Sequence, residues 1–205
     1  MNGINFYDNQ RSGGANNSIN LKKNSTLNLS KERLKRVKLG LGWDLGVNGQ
    51  TYDLDASAFL LNNFGQCPDA SYAILYAPGH DKGYGVNYGG DNRTGAGEGD
   101  DEFITVELSQ VPGNISKIVF VVSIYNAVAK RQNFGQVRNA FIRLVDIDTN
   151  QEIARYSLTE DYSTCQSVVM GALEKVGNDW MFRALGEGIQ GELGDVIVKF
   201  GLTEE

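Results

Sequence analysis

Residues 36–43, RVKLGLGW, decide the fold. Val37, Leu39, Leu41 and Trp43 alternate with Arg36, Lys38, Gly40 and Gly42, a period of two that turns one apolar face to a core and the other face outward. Residues 53–61 (DLDASAFLL), 72–77 (YAILYA), 102–108 (EFITVEL), 140–147 (AFIRLVDI), 152–158 (EIARYSL), 167–173 (SVVMGAL), 179–185 (DWMFRAL) and 195–200 (DVIVKF) also read as strands. In 118–125 (IVFVVSIY) apolar residues run almost unbroken, which places that strand centrally, covered on both faces. Helix signals are limited to a turn or two in 30–36 (SKERLKR) and 126–131 (NAVAKR). About ten short strands without long amphipathic helices predict an all-β, mainly antiparallel fold, a two-sheet β-sandwich.

With 205 residues, 41% of them apolar, the chain suits one domain, read as residues 21–205 after a polar, flexible extension over residues 1–20. No apolar run reaches the roughly 18 residues that span a bilayer, and the Asn-rich start lacks a signal-peptide apolar region, so the expected location is cytoplasmic. The net charge of −6 argues against general nucleic-acid binding. Charge is unevenly spread. Residues 1–40 carry eight Lys/Arg against Asp8 and Glu32, whereas residues 41–102 carry ten Asp/Glu against Lys82 and Arg93. The basic run Lys31, Arg33, Lys35, Arg36 and Lys38 reads as a solvated face, with an anionic lipid surface or an acidic partner as the alternative.

The sharpest constellation is GDNRTGAGEGDDE, residues 90–102. Asp91, Glu98, Asp100, Asp101 and Glu102 crowd into it against Arg93 alone, and its glycines let backbone carbonyls turn inward. A hard cation such as Ca²⁺ takes six to eight oxygens at about 2.3–2.6 Å, which carboxylates and carbonyls supply. The competing reading is a solvated acidic loop. Asp53 and Asp55 form a second cluster, on one side of a strand start with Ser57 and opposite Leu54, Ala56 and Ala58. Two carboxylates at the head of an apolar strand are costly unless paired or metallated; a polar turn is the plainer reading. Neither segment is an EF-hand: from Asp53 the sixth position is Ala58 and the twelfth Phe64, and from Asp146 they are Gln151 and Ser157. Asp146 to Asn150 reads as a hairpin turn.

Other chemistry is poorly provided for. Cys67 and Cys165 form no CxxC, and His80 is the only histidine, which leaves no zinc site, redox dithiol or His pair. Gly186, Gly188 and Gly191 match G-x-G-x-x-G, but no βαβ unit follows, and they read as a tight turn before the last strand. A metal-assisted hydrolase using the same carboxylates lacks a histidine base paired with a nucleophile. A calcium-dependent binder of lipid or sugar headgroups is the other alternative.

GLGWD (40–44), DLDASAFLL (53–61), GDNRTGAGEGDDE (90–102), QNFGQV with NAFIRL (132–144), EIARY (152–156) and WMFRA (180–184) together resemble the TerD family of bacterial tellurium-resistance and general stress proteins, over roughly residues 21–202. The resemblance implies a calcium-binding β-sandwich, not an enzyme, holding one or two Ca²⁺ in the cytoplasm. It implies other stress-response proteins as partners, with the inner membrane surface as one place to meet them. Carried onto this chain, the metal ligands fall on Asp53, Asp55, Asp91, Glu98, Asp100, Asp101 and Glu102, with Asn92 as a supplement. In QNFGQV, the amides of Gln132, Asn133 and Gln136 are expected to fix the loop over Phe134 rather than to bind metal.

Overall fold

The alternation in 36–43 becomes strand β3 (Arg36–Asp44), with Val37, Leu39, Leu41 and Trp43 buried in the core between two sheets. The computed structural model describes residues 18–30, 33–44, 51–89, 99–158 and 162–203. The remaining strands are β1 (Ile19–Asn20), β2 (Thr26–Asn28), β4 (Leu54–Leu61), β5 (Ala73–Ile74), β6 (Lys82–Gly83), β7 (Val86–Tyr88) and β8 (Glu102–Glu107). They are followed by β9 (Lys117–Ile124), β10 (Arg138–Asp146), β11 (Gln151–Ser157), β12 (Ser167–Val176) and β13 (Asp179–Ile189). One sheet runs β1-β11-β10-β3-β8-β7-β6 and the other β2-β13-β12-β9-β4-β5. All pairings are antiparallel except β1 with β11. The expected two-sheet sandwich is therefore the observed one.

The unbroken apolar run 118–125 forms β9, flanked by β12 and β4 in the middle of the second sheet. Ile118, Phe120, Val122 and Ile124 fill the space between the sheets, while Val119 and Val121 point to the sheet's outer face. That outer face needs a cover, and the end of the chain supplies it. Residues 195–200, expected as a strand, lie instead in helix α2 (Leu193–Lys199) and its C-cap Phe200. Leu193, Val196, Ile197 and Phe200 recur at helical spacing and pack on Phe59, Val119, Val121 and Val169. Glu192 and Asp195 close a capping box at the helix start.

Three smaller expectations also shift. Gly186 and Gly188 lie inside β13 rather than in a turn. Ile19 and Asn20 pair with Ala154 and Arg155, so ordered structure begins inside the segment read as an extension, of which residues 1–17 lie outside the described residues. The run 72–77 yields only the two-residue β5. The Asp146–Asn150 segment does form the β10–β11 hairpin turn, with Asp146 accepting from Asp148 N (3.0 Å) and Thr149 Oγ1 (2.6 Å). A short helix α1 (Ala127–Lys130) matches the weak helical signal there. No helix among the described residues is long and apolar enough to cross a membrane.

Candidate metal centre

β3 ends at Asp44, β4 starts at Leu54 and β8 starts at Glu102, so these chain ends gather the acidic residues at one pole of the sandwich. Asp91, Asn92 and Glu98 lie outside the described residues. Asp53 stands just before β4, its carboxylate 3.9 Å from Lys130 Nζ. Lys130 Nζ also lies 5.2 Å from the centroid of the Tyr125 ring. Asp55 is 6% exposed. Because Leu54 and Ala56 point into the core between the sheets, Asp55 and Ser57 take the outer face of the second sheet. There Asp55 sits opposite Ser123, whose Oγ lies 2.9 Å from Ser167 Oγ, and Ser167 Oγ donates to Gly191 O at 2.8 Å. Ser57 Oγ, on the same face, is buried and has no hydrogen-bond partner among the described residues. Tyr76 and Tyr125 meet edge to face at 6.3 Å. Burial, and then the negative charge of Asp55, push the Tyr76 hydroxyl above its usual pKa.

The three consecutive carboxylates 100–102 part company. Asp100 rests on the outer face of the first sheet, between Arg143 Nε (2.5 Å) and Lys38 Nζ (2.7 Å), with its side chain 5% exposed. Its seat is Gly40, where a Cβ would collide with the carboxylate. Asp101 stays at the strand rim: its N–H donates to Leu41 O (2.8 Å) and its Oδ2 accepts from Trp43 N (3.0 Å). Burial pushes the Asp101 carboxyl up; the Trp43 N–H opposes this, and the charges of Asp100 and Asp44 add to it. Glu102 turns inward and is 1% exposed. Its Oε2 accepts from Ala56 N (2.6 Å) and its Oε1 from Tyr88 Oη (2.8 Å), which ties the first sheet to the second.

Among the described residues no three His, Cys, Asp or Glu side chains converge into a group that could hold a metal ion. Asp53 and Asp55 are nevertheless oxygen donors of the kind a hard cation takes, and the buried Ser57 hydroxyl on the same face of β4 has no hydrogen-bond partner among the described residues; four positions along a strand span about 13 Å, so Asp53 and Ser57 would not ligate the same ion. Asp100 does not suit a hard cation: its Oδ2 makes no hydrogen bond of good geometry among the described residues, yet Lys38 Nζ stands 2.7 Å from it and Arg143 Nε holds Oδ1, so the carboxylate already has two positive charges against it.

Sequence reading missed Lys38, Arg143 and Lys130, which come from distant parts of the chain; only the run 31–38 marked Lys38 as one of several bases. It also missed Ser123 and Ser167, which look like ordinary strand serines. Two of the QNFGQV amides fix their loop: Asn133 and Gln136 form a capping box over the buried Phe134. Gln132 Nε2 donates to Thr51 O (3.0 Å), while its buried Oε1 has no hydrogen-bond partner among the described residues.

A model of the TerD domain matches residues 18–200. The chain belongs to the TerD family. It is 46% identical to the tellurium resistance protein TerD of Serratia marcescens over 189 residues, 91% of this chain and 98% of that protein. General stress protein 16U of Bacillus subtilis is 44% identical over 189 residues, 90% and 98% of the respective chains. A crystal structure of a TerD homologue from Streptomyces coelicolor A3(2) superposes with a TM-score of 0.62, covering 80% of this chain and 95% of that one at 20% identity. At that identity it speaks for the TerD fold alone. As a TerD-family protein, this chain belongs with tellurium resistance and stress response.

Proposed function

We propose that the chain is a non-enzymatic calcium-binding module of the cytoplasmic stress response, whose acidic loops take one or two Ca²⁺ and so form a surface for partner proteins. The observation that supports this reading is the row of oxygen donors on the outer face of β4 at the acidic pole: Asp53, Asp55 and a buried Ser57 hydroxyl that has no hydrogen-bond partner among the described residues. Its ligands are drawn from Asp53, Asp55 and Asp101, with Asp91, Asn92 and Glu98 from outside the described residues; Glu102, expected among them, is left out because both its oxygens are taken up in the core by Ala56 N and Tyr88 Oη. Calcium supplies the positive charge that offsets repulsion among these carboxylates, each close pair of which costs on the order of 1–4 kcal/mol. Tyr76 and Tyr125, 39% and 43% exposed, lie near Asp53 and Asp55 and offer an aromatic contact surface for a partner.

Melting curves of chelator-stripped protein test this. Calcium at about a hundredfold over Kd stabilises by roughly 2.7 kcal/mol, an upward shift of about 5–10 °C for a chain of this size. Asp55→Asn removes most of the shift. A melting temperature that neither Ca²⁺ nor Mg²⁺ moves rules the reading out.

A further inference from the structure

The geometry points to a division of labour inside the acidic segment: Asp100 is the anchor that fastens the segment to the first sheet, a positioning residue rather than an ion ligand. This rests on the calcium reading and assigns one of its expected carboxylates a different task. The carboxylate spans Lys38 on β3 and Arg143 on β10, adjacent strands of one sheet. Gly40, paired in register with Arg143, leaves the notch that it fills. A side chain at position 40 would evict it, so the notch and the two cations make one socket.

Topology separates Asp100 from the ligand group on the second sheet. Lys38 and Gly40 alternate with the core residues Leu39 and Leu41, so Asp100 lies on the outer face of the first sheet. Asp55 lies on the outer face of the second. Two stacked sheets stand about 10 Å apart, whereas oxygens on one calcium ion lie within roughly 5 Å of each other. An ion held by Asp55 is therefore out of reach of Asp100. An ion brought to Asp100 itself would meet two positive side chains at hydrogen-bond distance. Anchoring leaves Asp101 at the rim, its backbone and side chain bonded to Leu41 and Trp43. It thus fixes where the chain enters β8.

Calorimetric titration of Ca²⁺ into the chelator-stripped full chain, with melting curves in chelator, tests the assignment. Asp100→Asn, Gly40→Ala and Lys38→Met are each expected to keep the number of ions bound and weaken affinity by about tenfold, the usual scale for a residue that orients ligands. Asp55→Asn is expected to lose an ion. The Asp100→Asn, Gly40→Ala double variant should be no weaker than the worse single variant, because both empty one socket. An ion lost in Asp100→Asn but retained in Gly40→Ala and Lys38→Met makes Asp100 a ligand and overturns the proposal. If the parent chain takes up no calcium, the calcium reading fails, yet the anchor is still read in the melting curves. There Asp100→Asn and Gly40→Ala should each lower the melting temperature non-additively, and unchanged melting in both overturns the anchor.

Discussion

Cys67 and Cys165 are both buried, and burial decides what these thiols can do. Burial, helped by the charge of Asp69, pushes the Cys67 thiol up to about 12. At pH 8 Cys67 is then almost wholly the unreactive thiol. Native protein is expected to show no thiol reacting with a disulfide reagent at pH 8, and both thiols after denaturation in guanidinium. Prompt labelling of the native chain would mean that the thiols are accessible despite their burial. Ser57 makes the opposite case, a buried group with an unmet need. Ser57→Ala removes an unsatisfied hydroxyl and is expected to raise stability in chelator by about 1 kcal/mol. In saturating Ca²⁺ the same change is expected to lower stability, if the hydroxyl serves the ion. A variant equally stable in both conditions would separate Ser57 from the metal reading.

Among the elements, α2 shows how a cover is built and how a sequence conceals it. Phe200 packs its ring 4.8 Å from Phe59 beneath the helix end. Phe200→Ala is expected to cost about 3–5 kcal/mol in urea unfolding, whereas Val198→Ala, at a 58% exposed position, should stay within about 0.5 kcal/mol. Equal, small effects would show that the helix does not hold the outer face. The strands were legible because a half-buried strand writes its period into every second residue, as 36–43 does. The helix was not, because the β-branched run Val196-Ile197-Val198 imitates a strand while its true spacing, 193, 196, 197 and 200, starts before the run. β1, β6 and β7, of two or three residues each, are too short to carry a period and exist through their pairing. The acidic pole was legible as composition, from Asp53 and Asp55 and from residues 91–102. Which way each carboxylate faces was not. That depends on Lys38, Arg143 and Lys130, brought close by strand order, and no local pattern encodes it.

For the molecule as a whole, two carboxylates held by cations, Glu152 on the first sheet and Glu174 on the second, contribute to its response to acid through their lowered pKa values. On the first sheet Glu152 accepts from Ser18 Oγ (2.7 Å), Arg143 Nη1 (3.1 Å) and Arg155 Nη2 (2.9 Å), joining β10, β11 and the approach to β1. On the second, Glu174 pairs with Lys117 Nζ (3.0 Å) and Arg183 Nε (2.9 Å), joining β9, β12 and β13. Burial works against ionisation of Glu152, but the bonds from Arg155, Ser18 and Arg143 outweigh it and hold the carboxyl down at about 2. Glu174 is lowered for the same reasons: burial opposes ionisation, and Arg183 and Lys117 overcome it. A carboxyl whose pKa is depressed by folding stabilises fully above its unfolded value of about 4.5 and loses that contribution as pH falls towards its folded value. Asp101, whose carboxyl is raised, has the opposite sign and offsets part of the loss. Stability is therefore expected to decline between about pH 5 and pH 2. Glu152→Gln should cost about 1–2 kcal/mol at pH 7 and progressively less towards pH 2, and the Glu152→Gln, Glu174→Gln pair should flatten the decline further. Urea unfolding at a series of pH values reads this directly. Parent and double-variant curves that run parallel across the acid range would mean that neither carboxylate contributes through its charge.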